Sequence, residues 1–383
     1  LGTFMQTHLY GVTARQALYD YEQLFAAHRR FLREYQPDYY ASPAFVGSGR
    51  VYDILDLKQY KWAGHGLSEQ AGYQCVEGEY MMADDYPSLI DDPSGFWLRT
   101  LMPRIFGALQ PLAGLTPFPF IWEIVGVSGA MIPFGVPAVQ AALQALMEAG
   151  NEAMQWIQHV AAFDRDARSQ GYPSLIGGAA KAPYDILADT LRGTRGIMVD
   201  LYRRPGAVIQ AMERLLPLYI QQGVGMATAA GNPMVFVPLH KGADGFMSDE
   251  QFRTFYWPTL KALLLGLIQE GCVPYLFCEG NYNSRLHYLR ELPAGTTFWA
   301  FDRSDMGRVK EMLGKTLCIG GNVPSGLLLT GTPDEVRTYC RHLIDVVGRG
   351  GGYVMSNGTG MDEGHPENLR AMIEFTREHG VYR

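Results

Sequence analysis

Cysteine is scarce in this 383-residue chain: five residues, Cys75, Cys272, Cys278, Cys318 and Cys340, an odd number without regular spacing. That usage excludes a disulfide framework and points to reduced thiols in a cytoplasmic compartment. No stretch reaches the ~18 uninterrupted apolar residues of a membrane span. Residues 1–10 lack the basic-then-apolar layout of a secretory leader, and with no initiator methionine an upstream extension is expected. Basic residues lag behind acidic ones, 32 against 39, giving a net charge of −7. With no run of five or more basic residues, a broad nucleic-acid footprint is excluded. Walker, Cys-x-x-Cys, Gly-x-Ser-x-Gly and His-Glu-x-x-His motifs are all missing. The triple glycine at 350–352 precedes an apolar run instead of following one, so it reads as a loop and not a phosphate cradle. Small molecules or another protein are left as partners.

What is present is a large apolar core: 47% hydrophobic and 12% aromatic residues, without internal repeats or low-complexity linkers. A chain of this length fits one (β/α)₈ barrel. The second half alternates apolar runs with amphipathic segments, the pattern of a parallel sheet with crossover helices. Strands are predicted at 234–239, 273–278, 297–301, 317–320 and 353–356, each nearly continuous in apolar character, as strands buried on both faces require. Ser248 with Gln251, and Thr332-Pro333-Asp334-Glu335, are capping-box starts of helices, and Pro366-Glu367 opens the last one. In the first half, helices are expected near 14–35, 136–170 and 205–223, with barrel strands at 45–51, 120–125 and 174–178. The expected organisation is a single α/β TIM-barrel domain over 1–383, with a helical extension over about 1–40 and an added hairpin near 73–82.

In such a barrel the C-terminal strand ends face the active-site mouth. Those ends carry His240, Cys278 with Glu279, Asp302, Asn322, and Asn357 with Thr359. Each has a plainer alternative: a satisfied loop histidine, a buried small thiol, an Asp302–Arg303 pair, an asparagine ordering its own turn. Glu279 directly follows an apolar strand, where burial without a partner is costly. The enzymatic reading requires positions 240, 279, 302, 322 and 357 to face one cavity.

Gly-Asn-Val-Pro at 321–324, Leu-Leu-Leu-Thr-Gly-Thr-Pro-Asp-Glu-Val at 327–336, Gly-Gly-Gly-Tyr-Val-Met-Ser-Asn-Gly-Thr-Gly at 350–360 and His-Pro-Glu-Asn-Leu at 365–369 resemble the C-terminal signature of the uroporphyrinogen decarboxylase superfamily. The segment 175–185, Arg192-Gly193, and Asp53-Ile54-Leu55-Asp56 with Gln59 resemble its central and early motifs, so the likeness covers residues 40–383. It implies a (β/α)₈ barrel and one of two activities, decarboxylation of uroporphyrinogen or methyl transfer to or from a corrinoid protein. The decarboxylases' arginine-rich N-terminal motif is missing, their Gly-His-Gly reads Gly358-Thr359-Gly360, and their central tyrosine reads Asp189. A substrate rich in carboxylates needs cationic clamps. At the zinc positions of the thiol-directed methyltransferases stand Leu276, Cys278 and Thr359.

The resemblance is strongest, at 184–196, to the first methyltransferases of O-demethylase systems in anaerobic one-carbon metabolism. These move a methyl group from a methoxylated aromatic to the cobalamin-type corrinoid of a partner protein. The departing phenolate oxygen must be protonated or metal-bound, so Glu279, Asp302 and His240 at the strand ends are the expected catalytic residues, with Asp189, Asn322, Asn357, Thr359 and Asp53 expected to bind substrate. Glu279, Cys278 and His240 form an alternative zinc set. Another methyl donor, a thiol acceptor, the decarboxylase itself and a non-catalytic ligand-binding barrel stand as alternatives.

Overall fold

The computed structural model describes residues 4–382. The N-terminal helical region is broken at Asp20 into Ala14–Tyr19 and Tyr21–Tyr35, because the Asp20 carboxylate accepts the Gln23 N–H at 3.1 Å and caps the second helix. Tyr21, Phe25 and Phe163 pack this helix against the 33-residue helix Pro137–Ser169. Phe163 is fully buried, which is worth about 1.5–3 kcal/mol.

A small sheet follows: β1 (Tyr60–Ala63), β2 (Gly66–Leu67) and β3 (Tyr73–Cys75), with β1 antiparallel to β3 through Tyr60 opposite Cys75. The extra strand expected near 73–82 is thus present over its first three residues, paired with β1.

The parallel sheet has six strands in sequential order: β4 (Gly178–Ala179), β5 (Met234–Leu239), β6 (Val273–Cys278), β7 (Phe298–Phe301), β8 (Cys318–Gly320) and β9 (Tyr353–Val354). The five strands predicted in the second half all form, within a residue or two at their ends. Ser174, just ahead of β4, bridges Tyr40 in parallel, and the Tyr39 hydroxyl donates to the Met355 carbonyl beyond β9. The segment at 39–40 therefore lies between the two ends of the sheet and draws the barrel closed. Among the described residues the ring consists of six hydrogen-bonded strands and this bridged segment, not eight regular strands.

Both helix starts with capping boxes form as expected. Ser248 Oγ accepts the Gln251 N–H at 3.2 Å, and the Glu335 carboxylate accepts the Thr332 N–H at 2.8 Å. The helix beginning at Pro205 runs on to Ala230, past the expected end at 223. It stops at Gly231, whose φ of 61° lies in the left-handed region open to glycine.

Two expected strands are corrected. Residues 45–51 span the turn Pro43–Phe45 and the start of the helix Gly49–Leu55, whose N-cap Ser48 accepts the Val51 N–H. Residues 120–125 span the turn Phe118–Phe120 and the helix Glu123–Met131, with Trp122 58% and Ile124 89% exposed. A short apolar run reads alike as buried strand or helix, and here it is an apolar surface. Among the described residues no single helix is long and apolar enough to cross a membrane; Glu123–Gly135 and Pro137–Ser169 reach that composition only as a pair bent by 75°.

Candidate active site

Alternation along the strands decides which side chains reach the mouth. Phe236, Tyr275, Phe298 and Ala300 pack together inside the barrel, with Phe277, Cys318 and Val354 against them. Val235, Val237, Leu276 and Cys278 belong to the larger core shared with the helices. Register pairs Pro238 with Phe277, Phe277 with Ala300, and Ala300 with Gly320. Two residues further on, the same inward row carries His240, Glu279, Asp302 and Asn322. Cys278, one residue short of that row, faces outward.

His240 is the centre of the cluster. Its Nδ1 lies 2.6 Å from Asp189 Oδ2, and its Nε2 lies 3.6 Å from Glu279 Oε2. Asp189 also takes Lys181 Nζ at 2.8 Å and Lys241 Nζ at 3.7 Å. Beneath it, the fully buried Asp185 accepts the backbone N–H groups of His240 and Lys241, both at 3.0 Å, and the Tyr256 hydroxyl at 2.8 Å. That carboxylate anchors the turn leaving β5 and so fixes where the imidazole stands. Asp185 immediately precedes, and Asp189 lies within, a one-turn π-helix, Ile186–Leu191, a local widening that often marks functional positions.

The electrostatics follow. Burial alone would depress the His240 imidazole, but the bond to Asp189 and the charges of Asp189 and Asp185 outweigh it, and the pKa is raised. Burial would raise Asp189; His240 and Lys181 overcome it and hold the carboxyl at about 2. Burial, with the Asp189 charge, pushes Asp185 upward. The arrangement is an imidazole tethered by Nδ1, its protonated form favoured, with Nε2 beside a half-exposed carboxylate. It can deliver a proton at the mouth.

The remaining expected residues are not all here. Asp302 Oδ2 accepts the Gly280 N–H at 3.0 Å, bracing the turn after Glu279, and Arg303 Nε stands 3.6 Å from it. Asn322 donates to the Asp302 and Ser304 carbonyls and accepts from the Tyr339 hydroxyl. Asp302, Asn322 and Thr359 line a neighbouring cleft of about 430 Å³ with Tyr339, and Asn357 borders a different cavity under the last helix. The five positions expected in one bowl thus divide among adjoining spaces. Asp53 is engaged elsewhere, taking the Tyr19 hydroxyl at 2.9 Å and His65 Nε2 at 3.1 Å.

The zinc set of Glu279, Cys278 and His240 does not assemble. Cys278 is fully buried on the opposite face of β6, where burial pushes its thiol well above the ordinary value, far from the thiolate a metal needs. Among the described residues no three His, Cys, Asp or Glu side chains converge as metal ligands.

Lys181, Asp185, Lys241 and Tyr256 went unnoticed in the sequence as site residues. The signal was there for two of them, since Lys181 and Asp185 lie inside the motif 175–185 and Asp185 precedes Asp189 by one helical turn.

The uroporphyrinogen decarboxylase family model matches residues 136–379, which takes in every strand from β4 to β9 and the whole His240 cluster. The chain belongs to the uroporphyrinogen decarboxylase family. A uroporphyrinogen decarboxylase of Neisseria meningitidis serogroup C is 22% identical over 239 residues, 59% of this chain; the match spans 65% of that relative's length. A solved methyltransferase from Methanosarcina mazei superposes with a TM-score of 0.62 at 13% identity, covering 98% of this chain and 91% of the other. At that identity the likeness is one of fold, and it carries the barrel reading across the irregular first half as well.

Proposed function

We propose that the chain is a methyltransferase that takes the methyl group of an aryl methyl ether and passes it to the corrinoid of a partner protein. The observation that carries this reading is His240, its pKa raised by the tether to Asp189, with Nε2 turned to Glu279 at the barrel mouth. Breaking the methyl C–O bond leaves its electron pair on the aryl oxygen, a poor leaving group until it is protonated. His240 Nε2 donates that proton, so the departing species is the neutral phenol. Glu279, half-exposed and 3.6 Å away, returns a proton to the ring from solvent. Asp189 and Asp185 position the imidazole. The Co(I) centre of the partner supplies the electron pair that takes up the methyl group.

Family membership and the likeness to a solved methyltransferase are compatible with this reading. Decarboxylation of uroporphyrinogen has less support, because the two lysines at the mouth, Lys181 and Lys241, both spend their charge on Asp189 and are not free to clamp substrate carboxylates. A thiol acceptor has less support as well, since the zinc ligands that would activate it do not come together. The test is transfer from 2-methoxyphenol to a Co(I) corrinoid protein, followed by the absorbance of the corrinoid and by release of catechol. The expected result is one catechol per corrinoid converted, slowed about 10²–10⁴-fold in His240→Gln. Turnover of uroporphyrinogen, or no conversion with any of a panel of methoxyphenols, overturns the proposal.

A further inference from the structure

Away from the His240 cluster, a cavity of about 140 Å³ lies between the helices Tyr21–Tyr35 and Pro366–His379, beneath the chain leaving β9. Phe31, Phe163, Met355, Met361 and Met372 are among its walls. No lysine or arginine lines it, and the one charged residue, Asp38, is exposed. Two of its polar side chains are buried and unsatisfied. Gln6 is 6% and His28 4% exposed, and neither Gln6 Oε1 nor His28 Nε2 has a hydrogen-bond partner. Orphaned atoms of this kind cost roughly 1–3 kcal/mol each, so a native protein keeps them for a reason. The cost is met when something occupying the cavity offers a hydroxyl.

We propose that this cavity binds a neutral, single-ring aromatic alcohol, its ring among the phenylalanines and methionines and its hydroxyl toward Gln6 and His28. The size fits, since an apolar void of ~150 Å³ accepts benzene. The lining fits as well: methionine sulfurs pack favourably against ring edges and adapt to an irregular outline. Charge selects the neutral form. His28 stands edge-on to Phe163 at 6.0 Å, and burial lowers its imidazole to about 3, so it stays uncharged and offers no counter-ion to a carboxylate. Gln6 Oε1 accepts the single hydroxyl proton, and His28 Nε2, carrying the imidazole's one proton, donates to the hydroxyl oxygen. This site stands independently of the methyl-transfer reading.

Phenol is the probe, titrated calorimetrically into the full chain, with benzoate as the charged comparison. One saturable phenol site per chain is expected, with no benzoate binding. Two variants separate this cavity from the barrel mouth as the place of binding. Ile373→Trp, which fills the cavity, removes phenol binding, while His240→Ala leaves it intact. His28→Leu, read beside Gln6→Leu in case one variant folds poorly, weakens it roughly three- to tenfold. Binding that survives Ile373→Trp, or a phenol-soaked crystal showing only water between Gln6 and His28, overturns the proposal.

Discussion

Asp189 Oδ2 stands 2.6 Å from His240 Nδ1, and this one bond decides both the charge of the imidazole and the direction in which Nε2 points. Its pH signature has a definite sign. The folded-state pKa of His240 is raised above its ordinary value of about 6.5. A reaction that needs the protonated ring is therefore sustained below that raised pKa and lost as pH climbs through it. In Asp189→Asn the favourable charge is gone and burial dominates, so the alkaline limb of kcat moves toward acid. A limb that stays in place in the variant removes His240 from the proton-donor role. Stability follows the same rule: the ion pair contributes fully below about pH 6.5, and its contribution fades above the raised pKa. Urea midpoints of wild type and His240→Gln, compared from pH 6 to 9, are expected to converge as pH rises.

Asp185 is a positioning residue and touches no reacting atom. Its carboxylate serves two backbone N–H groups and the Tyr256 hydroxyl in a fully buried place. Asp185→Ala strands those three donors and should cost at least about 1–3 kcal/mol for each one that water cannot reach. Because the turn after β5 then loosens, kcat should fall far more than KM rises. Asp185→Asn, which keeps an acceptor for one N–H, should recover part of kcat. Equal loss in both variants would mean that charge, and not placement, is what Asp185 supplies.

The legibility of this molecule in its sequence divides at about residue 230. Strands β5 to β9 are buried on both faces and so appear as continuous apolar runs, and the residues that follow β5 and β6, His240 and Glu279, are brought together as their position at the strand ends implied. The parity of a strand, by contrast, is invisible until its register is known. Cys278 and Glu279 are neighbours in sequence, yet one looks into the helices and the other into the mouth. In the first half, β4 has two residues and the strand at Tyr40 is a single bridge, too short for any period to show. The apolar run at 118–132 misleads for another reason, since it covers surface instead of core.

That parity makes a prediction about Cys278. Its thiol is buried in the core shared with the helices, so Cys278→Ser puts a more polar group there, at a cost of about 1–3 kcal/mol. Cys278→Ala should be milder. The Tm of the serine variant is expected to drop while kcat/KM of the folded fraction is unchanged. Lost activity with unchanged stability would instead place this sulfur at the mouth.

Arg192 tests a part of the family-like central segment that has no place in the chemistry. Its guanidinium is buried, bonded to Asp200 at 2.6 Å, to Glu79 at 3.0 Å and to the Met81 carbonyl. Asp200, itself fully buried, also takes the Tyr86 hydroxyl at 3.0 Å. The group ties the chain that follows the small sheet to the helix Gly193–Arg203. Removing one partner of a buried pair leaves the other charge uncompensated, so Arg192→Ala should cost about 3–5 kcal/mol. The double variant Arg192→Leu with Asp200→Asn should recover much of that loss, because no buried charge is then left alone. Thermal melts of the two variants, read with kcat of the folded fraction, check both halves of the argument. A full loss of kcat in a variant that melts like wild type would move Arg192 into the reaction itself.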